Sequence, residues 1–482
     1  MTGRQWRGIA VLALPTLLLS LDTSVLFVAL PRLSAELGAS STEQLWILDI
    51  YSFLLAGFLV TMGAIGERFG RRRLLLAGAA AFGVASILAA YAPTPATLIG
   101  ARAVLGIAGA TIMPSTMALL RSLCPEQRHL NQALGIWFAS FTGGMMLGPL
   151  VGGVLMESFW WGSAFLLGVP VMVLLLIVGP AALPEFRDRE APRPDLPSLA
   201  MSLAAVLLII HGGKTLAHHG WSATAVAEVA AGVAVALAFV RRQAVLAHPL
   251  LELSLFRNRT VATCITVMLG GGVVMAGAEL TATLYLQSVL GLTPLQAGLW
   301  MLPANAAMAV TALLAPVLAR RWPVVHLAGG GLLISAAGML VITGAGPYDG
   351  IGRLVTGLTV ATIGLSLPMS LLLGLMLGAV PVDRAGSVAS VNETGGQFGI
   401  AVGVAFLGSV ATAVYRHGLP PGAEPVRESV AAAAGTPFLD VARVAFTDAV
   451  HVVGVVGAVL FALMAVLTLR VLRRKPALEP VG

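Results

Sequence analysis

Long apolar segments of the chain contain acidic residues, of which Asp22, Asp49, Glu279 and Glu393 are the candidates for function. An ionised carboxylate that faces lipid at the centre of a bilayer costs about 2.5–3.5 kcal/mol on insertion scales, so four would cost on the order of 10 kcal/mol. Each acid must therefore face a cavity, pair with a cation or carry a proton. A half-buried carboxylate holds a proton more readily than one in water, which suits groups that couple transport to protons or bind a cationic substrate.

Arg102 lies well inside another apolar segment, six residues after Ala96. Its guanidinium needs a carboxylate or carbonyl partner at that depth, and Asp22 and Asp49 are the candidates. We expect Arg102 to belong to a proton path, and a purely structural ion pair is the alternative. Asp49 could simply be solvated near the end of its span, and Glu279 could lie beyond the end of its span.

The composition decides what kind of protein must position these residues. The chain has 482 residues, of which 57% are hydrophobic and 11% are charged, against about 25% charged residues in an ordinary soluble domain. So few charges cannot cover a soluble core of this size, so a soluble enzyme, a disordered protein and a nucleic-acid binder are excluded. The two cysteines have no metal-binding or redox spacing. The composition predicts an all-α membrane protein, with no metal and no cofactor.

Runs of about 20 apolar residues predict fourteen transmembrane helices. The spans are expected at 9–31, 45–65, 74–92, 96–120, 133–156, 162–183, 197–213, 223–240, 260–286, 298–319, 324–345, 351–379, 387–413 and 449–472. With both termini inside, 22 of the 29 basic residues lie on the cytoplasmic side and 6 lie outside. This asymmetry favours cytoplasmic termini.

A faint internal repeat divides the chain into two similar halves. Gln44 to Trp46 precede span two, and Gln296 to Trp300 precede span ten, about 250 residues later. Parallel repeats of this kind are a known transporter architecture. We expect two pseudo-symmetric six-helix bundles with an inserted helix pair. The expected boundaries are 1–190, 191–250 and 251–482, and the last bundle carries an extracytoplasmic loop at 414–448.

A glycine- and arginine-rich segment joins spans two and three on the expected cytoplasmic side. A short tight turn needs glycine, and arginines keep such a turn on that side. Charge alone would not require the G-x-x-G-E-R-x-G spacing of this segment. The residues predicted to form a conformational switch are Gly63, Glu67, Arg68, Gly70, Arg71 and Arg72.

Span five contains glycines at four-residue intervals. Gly144, Gly148 and Gly152 form a smooth stripe that permits close approach of another helix. Pro149 interrupts the helical hydrogen bonds and allows bending, and Gly153 extends the pattern. Ordinary helix packing is the alternative to a functional role for this stripe.

These segments together resemble the major facilitator superfamily, specifically its fourteen-helix drug:proton antiporter branch, over nearly the whole chain. The matching segments are Leu21 to Val25, Trp46 to Tyr51, Gly63 to Arg73 (with Glu67 where aspartate is usual), Arg102 with Gly106 and Pro114, Gly148 to Gly153, and Ser390 to Thr394 with Gly399 and Gly403. The resemblance implies that Arg102 and its motif serve proton coupling and that the span-five motif marks export. It also implies that Glu67 and the adjacent arginines latch the two bundles together in the outward-facing state.

The expected function is proton-coupled efflux of lipophilic, mainly cationic drugs or dyes across the bacterial plasma membrane by alternating access. Phe27, Phe53 and Trp300 are candidate walls of the substrate cavity. The expected partners are small lipophilic cations, protons and the lipid bilayer, with no nucleic acid, and the protein is expected to be monomeric. Export of one natural product or antibiotic is the alternative within transport. A channel or a membrane sensor is the alternative of a different class, although the acids sit singly in unlike helices rather than in rings around a pore.

Overall fold

The computed structural model describes residues 2–124, 126–185, 195–219, 222–246, 249, 253–380 and 385–472. A few side chains inside these ranges, among them that of Glu393, are not described.

The described residues form fifteen α-helices. They are α1 Gly3–Leu37, α2 Ser41–Phe69, α3 Arg71–Ala90, α4 Pro95–Leu123, α5 Gln127–Ser158, α6 Ser163–Leu166, α7 Gly168–Ala182, α8 Leu196–His219, α9 Ala223–Val245, α10 Arg259–Leu284, α11 Pro294–Leu318, α12 Val324–Ile342, α13 Ile351–Gly378, α14 Ala385–His417 and α15 Leu439–Leu472.

Thirteen helical segments in the described ranges are long and apolar enough to cross a membrane, with α6 and α7 forming one of them. The helix α2 is bent by 51° near residue 60 and would supply a fourteenth span. This confirms the predicted all-helical membrane fold. Several helix starts follow the local sequence: Ser40, Thr94 and Thr293 each begin a helix with a capping box, in which the cap side chain and the third helical residue satisfy backbone groups reciprocally.

The helices α1–α7 (the N-half) and α10–α15 (the C-half) each surround an apolar core. Within the N-half, α1 packs along α5 and α2 packs along α4; within the C-half, α10 packs along α14 and α11 along α13. The same pairing therefore recurs about 250 residues later. It agrees with the offset of the sequence repeat.

The helices α8 and α9 pack against each other, and α8 also packs on α2 and α14. The helix α8 therefore lies over the seam between the two halves. Arg242 near the end of α9 donates two hydrogen bonds to the carboxylate of Asp195, which precedes α8, at 3.0 and 2.9 Å. The hydrogen bond from Arg242, together with those from Ser198, holds the pKa of Asp195 below its usual range. This charged contact fastens one end of the α8–α9 pair.

The two ends of the bundle carry different features. The end that carries the α2–α3 junction at Gly70 is called the basic face, and the end that carries residues 418–438 is called the loop face. The connection expected at 414–448 is shorter in the structure, because α14 extends to His417 and α15 begins at Leu439. Apolar side chains of Val426 and Val430 are buried there, so this connection is packed onto the bundle rather than fully exposed.

Candidate functional site

A buried ion pair joins two helices of the N-half. Arg102 Nη1 on α4 lies 2.8 Å from Asp22 Oδ2 on α1, and the two side chains are 1% and 8% exposed. Arg102 Nε also donates to the carbonyl of Ile47 on α2 at 3.2 Å. One guanidinium thus joins three helices. Of its two candidate partners, the structure pairs Arg102 with Asp22.

An aromatic ring lies beside this pair. The guanidinium carbon of Arg102 is 4.3 Å from the ring centre of Tyr51 on α2 and 5.9 Å from that of Phe165 on α6. Both rings are buried. Sequence reasoning placed Tyr51 in a helix motif but gave it no role, because α2 and α4 are separated by a whole helix in the sequence.

The glycines of α5 bring that helix against α1 beside Asp22. A Cβ at Gly144 would lie 2.1 Å from Ser20 Oγ and 2.3 Å from the carbonyl oxygen of Leu17, and one at Gly148 would lie 1.7 Å from Ser24 Oγ. Any side chain at these positions would therefore push α1 away. The predicted smooth stripe is a close contact with α1, on both sides of Asp22 in sequence.

We expect Gly144→Ala to destabilise the protein by about 1–3 kcal/mol, because overpacking a tight contact displaces backbone or side chains. Gly143→Ala is the matched control, because nothing lies within 4 Å of a Cβ placed there. The measurement is the thermal unfolding of both purified variants in the same detergent. Equal stability of the two variants would contradict the contact.

The other predicted acids occupy different surroundings. Asp49 is buried on α2 at 1% exposure, and Arg102 pairs with Asp22 rather than with it. Glu279 is partly buried on α10, and no ion pair or hydrogen bond reaches its carboxylate from the described residues. Glu393 lies on α14, and its side chain is outside the described part of the chain. Asp22 and Glu279 thus lie in different surroundings, the first paired with Arg102 and the second with no partner among the described residues.

The predicted switch segment forms contacts within the N-half. Glu67 pairs with Arg71 one turn later at 2.9 Å. Arg72 donates to the carbonyl oxygens of Pro180 and Leu183 at the end of α7, at 3.0 and 3.1 Å. Arg72 therefore fastens the start of α3 to the end of α7.

Glu185 completes this junction. Its carboxylate accepts a hydrogen bond from the backbone N–H of Arg72 at 3.2 Å and lies 3.5 and 3.7 Å from the side chains of Arg72 and Arg73. Gly70 has φ +112°, and a Cβ there would lie 2.6 Å from Glu185 Oε1. The positive φ of Gly70 is a conformation that favours glycine, and the Glu185 side chain would have to move to admit a larger residue there. Sequence reasoning missed Glu185. The usable signal was an acid just after span six, on the same expected cytoplasmic side as the arginines of residues 68–73.

Hydrogen bonds join the two halves at the loop face. Glu428 accepts from the backbone N–H and the hydroxyl of Ser41 at 3.0 and 3.1 Å and from Arg416 Nη2 at 2.7 Å. Gln287 on the last turn after α10 donates to the carbonyl of Val28 at 3.0 Å. Sequence reasoning missed both residues, because neither belongs to a periodic pattern.

Close backbone contacts between α5 and α11 reinforce this junction. A Cβ at Gly153 would lie 2.5 Å from Leu295 Cα, and one at Gly298 would lie 2.3 Å from the carbonyl oxygen of Pro149. The span-five motif therefore has two sides. Its stripe of three glycines packs on α1, and Pro149 and Gly153 meet the other half.

The three aromatic residues proposed as cavity walls separate in the structure. Phe53 is buried and meets Phe398 of α14 edge to face, with ring centres 6.3 Å apart. Phe27 is buried in the core of the N-half. Trp300 is 44% exposed on α11. The structure gives Phe53 a place at the seam between the halves.

Comparison with known proteins gives a consistent result. The family model of the Major Facilitator Superfamily matches residues 12–404. The chain is 38% identical over 474 residues to the multidrug efflux pump LfrA of Mycolicibacterium smegmatis, covering 95% of this chain and 94% of the pump. It is 34% identical over 414 residues to the methyl viologen resistance protein SmvA of Salmonella typhimurium, covering 84% and 82% of the two chains.

A solved structure shares the fold. The crystal structure of a bacterial homologue of the human lysosomal transporter Spinster, in an inward-facing and unoccupied conformation, superposes with a TM-score of 0.71 at 16% identity. The alignment covers 98% of each chain.

Proposed function

Because this chain belongs to the major facilitator superfamily, a family of membrane transporters rather than enzymes, we propose that it exports lipophilic, mainly cationic compounds from the bacterial cell in exchange for protons. The matches to a multidrug efflux pump over 94% of its length and to a methyl viologen resistance protein over 82% of its length support drug export. The buried ion pair of Asp22 and Arg102 is the observation that carries the proposal of proton coupling.

Asp22 is the proposed proton carrier. The ion pair compensates both charges while Asp22 is ionised, and a proton on Asp22 removes that compensation and leaves Arg102 as a buried cation. Removing one partner of a buried pair costs several kcal/mol, which is enough to shift the balance between two arrangements of packed helices. Protonation of Asp22 thereby changes how α1, α2 and α4 are held together.

Glu279 is the residue proposed to attract a cationic substrate. It is partly exposed and carries no partner within the described chain, whereas Asp22 is occupied by Arg102. A carboxylate without a counterion at membrane depth is stabilised by an incoming cation. In this proposal Asp22 carries the proton and Glu279 binds the substrate, so the proton and the substrate do not compete for one carboxylate.

The basic face is proposed to be cytoplasmic, because arginines concentrate there. The contacts of Glu428, Gln287 and the α5–α11 glycines hold the halves together at the opposite, loop face. This arrangement corresponds to an inward-facing state. In the outward-facing state those contacts must separate, and we propose that Glu67, free to leave Arg71, then joins the halves at the basic face.

The membrane potential contributes energy for each net positive charge that the exchange moves into the cell. One elementary charge that crosses 100 mV releases about 2.3 kcal/mol. That energy supports a substrate gradient of roughly forty-fold for each net charge moved.

The test is efflux of a fluorescent lipophilic cation such as ethidium from cells that express the protein. We expect expression to lower dye retention and a protonophore to abolish the difference. Dye retention that is unchanged by expression would contradict multidrug export. Efflux that is unaffected by the protonophore would contradict proton coupling. Export of one structural class among a panel of unrelated lipophilic cations would instead favour a dedicated exporter.

A further inference from the structure

Tyr51 sits in a notch on α4 that is made by glycines. Gly106 lies one turn after Arg102, and a Cβ there would be 2.5 Å from the carbonyl oxygen of Tyr51 and 3.1 Å from its Cα. A Cβ at Gly109 would be 3.3 Å from the hydroxyl of Tyr51. The spacing of Arg102, Gly106 and Gly109 therefore admits the backbone and the ring of Tyr51 against the guanidinium.

We propose that Tyr51 is a positioning residue for proton coupling, whose ring holds Arg102 in place when Asp22 accepts a proton. This inference rests on the proposed function. The ring centre is 4.3 Å from the guanidinium carbon, within the roughly 6 Å over which a cation is attracted by an aromatic face. When Asp22 is neutral its oxygen can still accept a hydrogen bond from Arg102, but the guanidinium loses its counterion; the carbonyl of Ile47, at 3.2 Å, is its other described acceptor.

The ring matters more in the protonated state for an electrostatic reason. While Asp22 is ionised, the pair is close to neutral overall, and the ring meets a weak field. After protonation the ring faces an uncompensated cation in a dry environment, where the attraction is strongest. The described titratable or charged residues nearest to this pocket on α1, α2 and α4 are Asp22, Asp49, Tyr51 and Arg102, and α6 contributes the ring of Phe165.

The first experiment is a double-mutant cycle on protein stability. Asp22→Asn imitates the protonated acid, so we expect Tyr51→Leu to lower the unfolding temperature more in the Asp22→Asn background than in the native background. Tyr51→Phe keeps the ring and is expected to behave like the native residue in both. Phe165→Leu, which removes the more distant ring, is expected to show a smaller coupling. Equal effects of Tyr51→Leu in both backgrounds would overturn the proposal.

The second experiment measures pH dependence, which a purely structural role would not move. In purified Tyr51→Leu, the pH at half-maximal substrate-induced proton release is expected to fall by about one pH unit, because proton binding to Asp22 loses the support of the ring. Tyr51→Phe should restore the native midpoint. An unchanged midpoint in Tyr51→Leu would overturn the proposal. The stability cycle needs no transport, so its outcome is independent of whether the protein proves to be a proton-coupled exporter.

Discussion

Asp22→Asn is expected to abolish proton-coupled efflux while the protein still folds. The amide has nearly the shape of the carboxylate, and its oxygen can still accept the hydrogen bond that Arg102 Nη1 donates at 2.8 Å. It cannot bind or release a proton. A transporter that requires this proton would therefore be held in one arrangement of the halves.

The measurement is energy-dependent ethidium transport in everted membrane vesicles with matched amounts of protein. Transport by Asp22→Asn is expected to fall to the rate of vesicles that lack the protein. Asp440→Asn is the matched control, because Asp440 is 75% exposed on its side chain and lies at the start of α15. Near-native transport by Asp22→Asn would remove this residue from the mechanism.

Arg102→Leu is expected to lower the free energy of unfolding by about 3–5 kcal/mol, because it leaves Asp22 as a buried charge without its partner. The double variant Asp22→Leu with Arg102→Leu is expected to regain much of this stability, since no buried charge remains. It is nevertheless expected to be inactive in transport. Recovery of stability without recovery of transport separates the structural role of the pair from its proposed role in coupling.

The measurement combines thermal unfolding of the purified variants with vesicle transport. Arg427→Leu is a suitable control, because Arg427 pairs with Glu424 at 3.8 Å where both side chains are largely exposed, and such pairs contribute about 0–1 kcal/mol. Native-like stability of Arg102→Leu would show that the ion pair is not an essential link between α1 and α4. Active transport by the double variant would contradict the coupling role.

Much of the fold follows from the sequence, because apolar run length and arginine asymmetry are properties of each segment by itself. Fourteen spans are predicted in this way, and thirteen helices plus the bent α2 are found in the described ranges. The four-residue spacing from Gly144 to Gly152 similarly predicts close helix approach. It does not say which helix approaches, because the packing partner depends on tertiary arrangement; in the structure it is α1.

The site is less predictable than the fold. A guanidinium at the depth of Arg102 demands an acceptor, so the sequence predicts that a partner exists. The choice between Asp22 and Asp49 depends on how α1 and α2 are rotated about their axes, which local sequence does not encode. The contact between the ring of Tyr51 and Arg102 depends on α2 and α4 lying side by side, which the sequence of neither helix specifies.

The contacts at the loop face were missed for a different reason. Glu428 and Ser41 are 387 residues apart in the chain, and neither belongs to a repeated or periodic segment. Their contact depends on how the connection 418–438 folds back over the start of α2. Sequence patterns report such long-range contacts poorly, because nothing nearby in the chain requires them.

Proton release on substrate binding tests the central claim most directly. Tetraphenylphosphonium is added to purified, weakly buffered protein, and the change in pH is followed for the native protein and for Asp22→Asn. A cation that binds the native protein should expel a proton, and the same addition to Asp22→Asn should expel none. Equal proton release from both proteins, or binding to the native protein without any release, would contradict the role of Asp22 as the proton carrier.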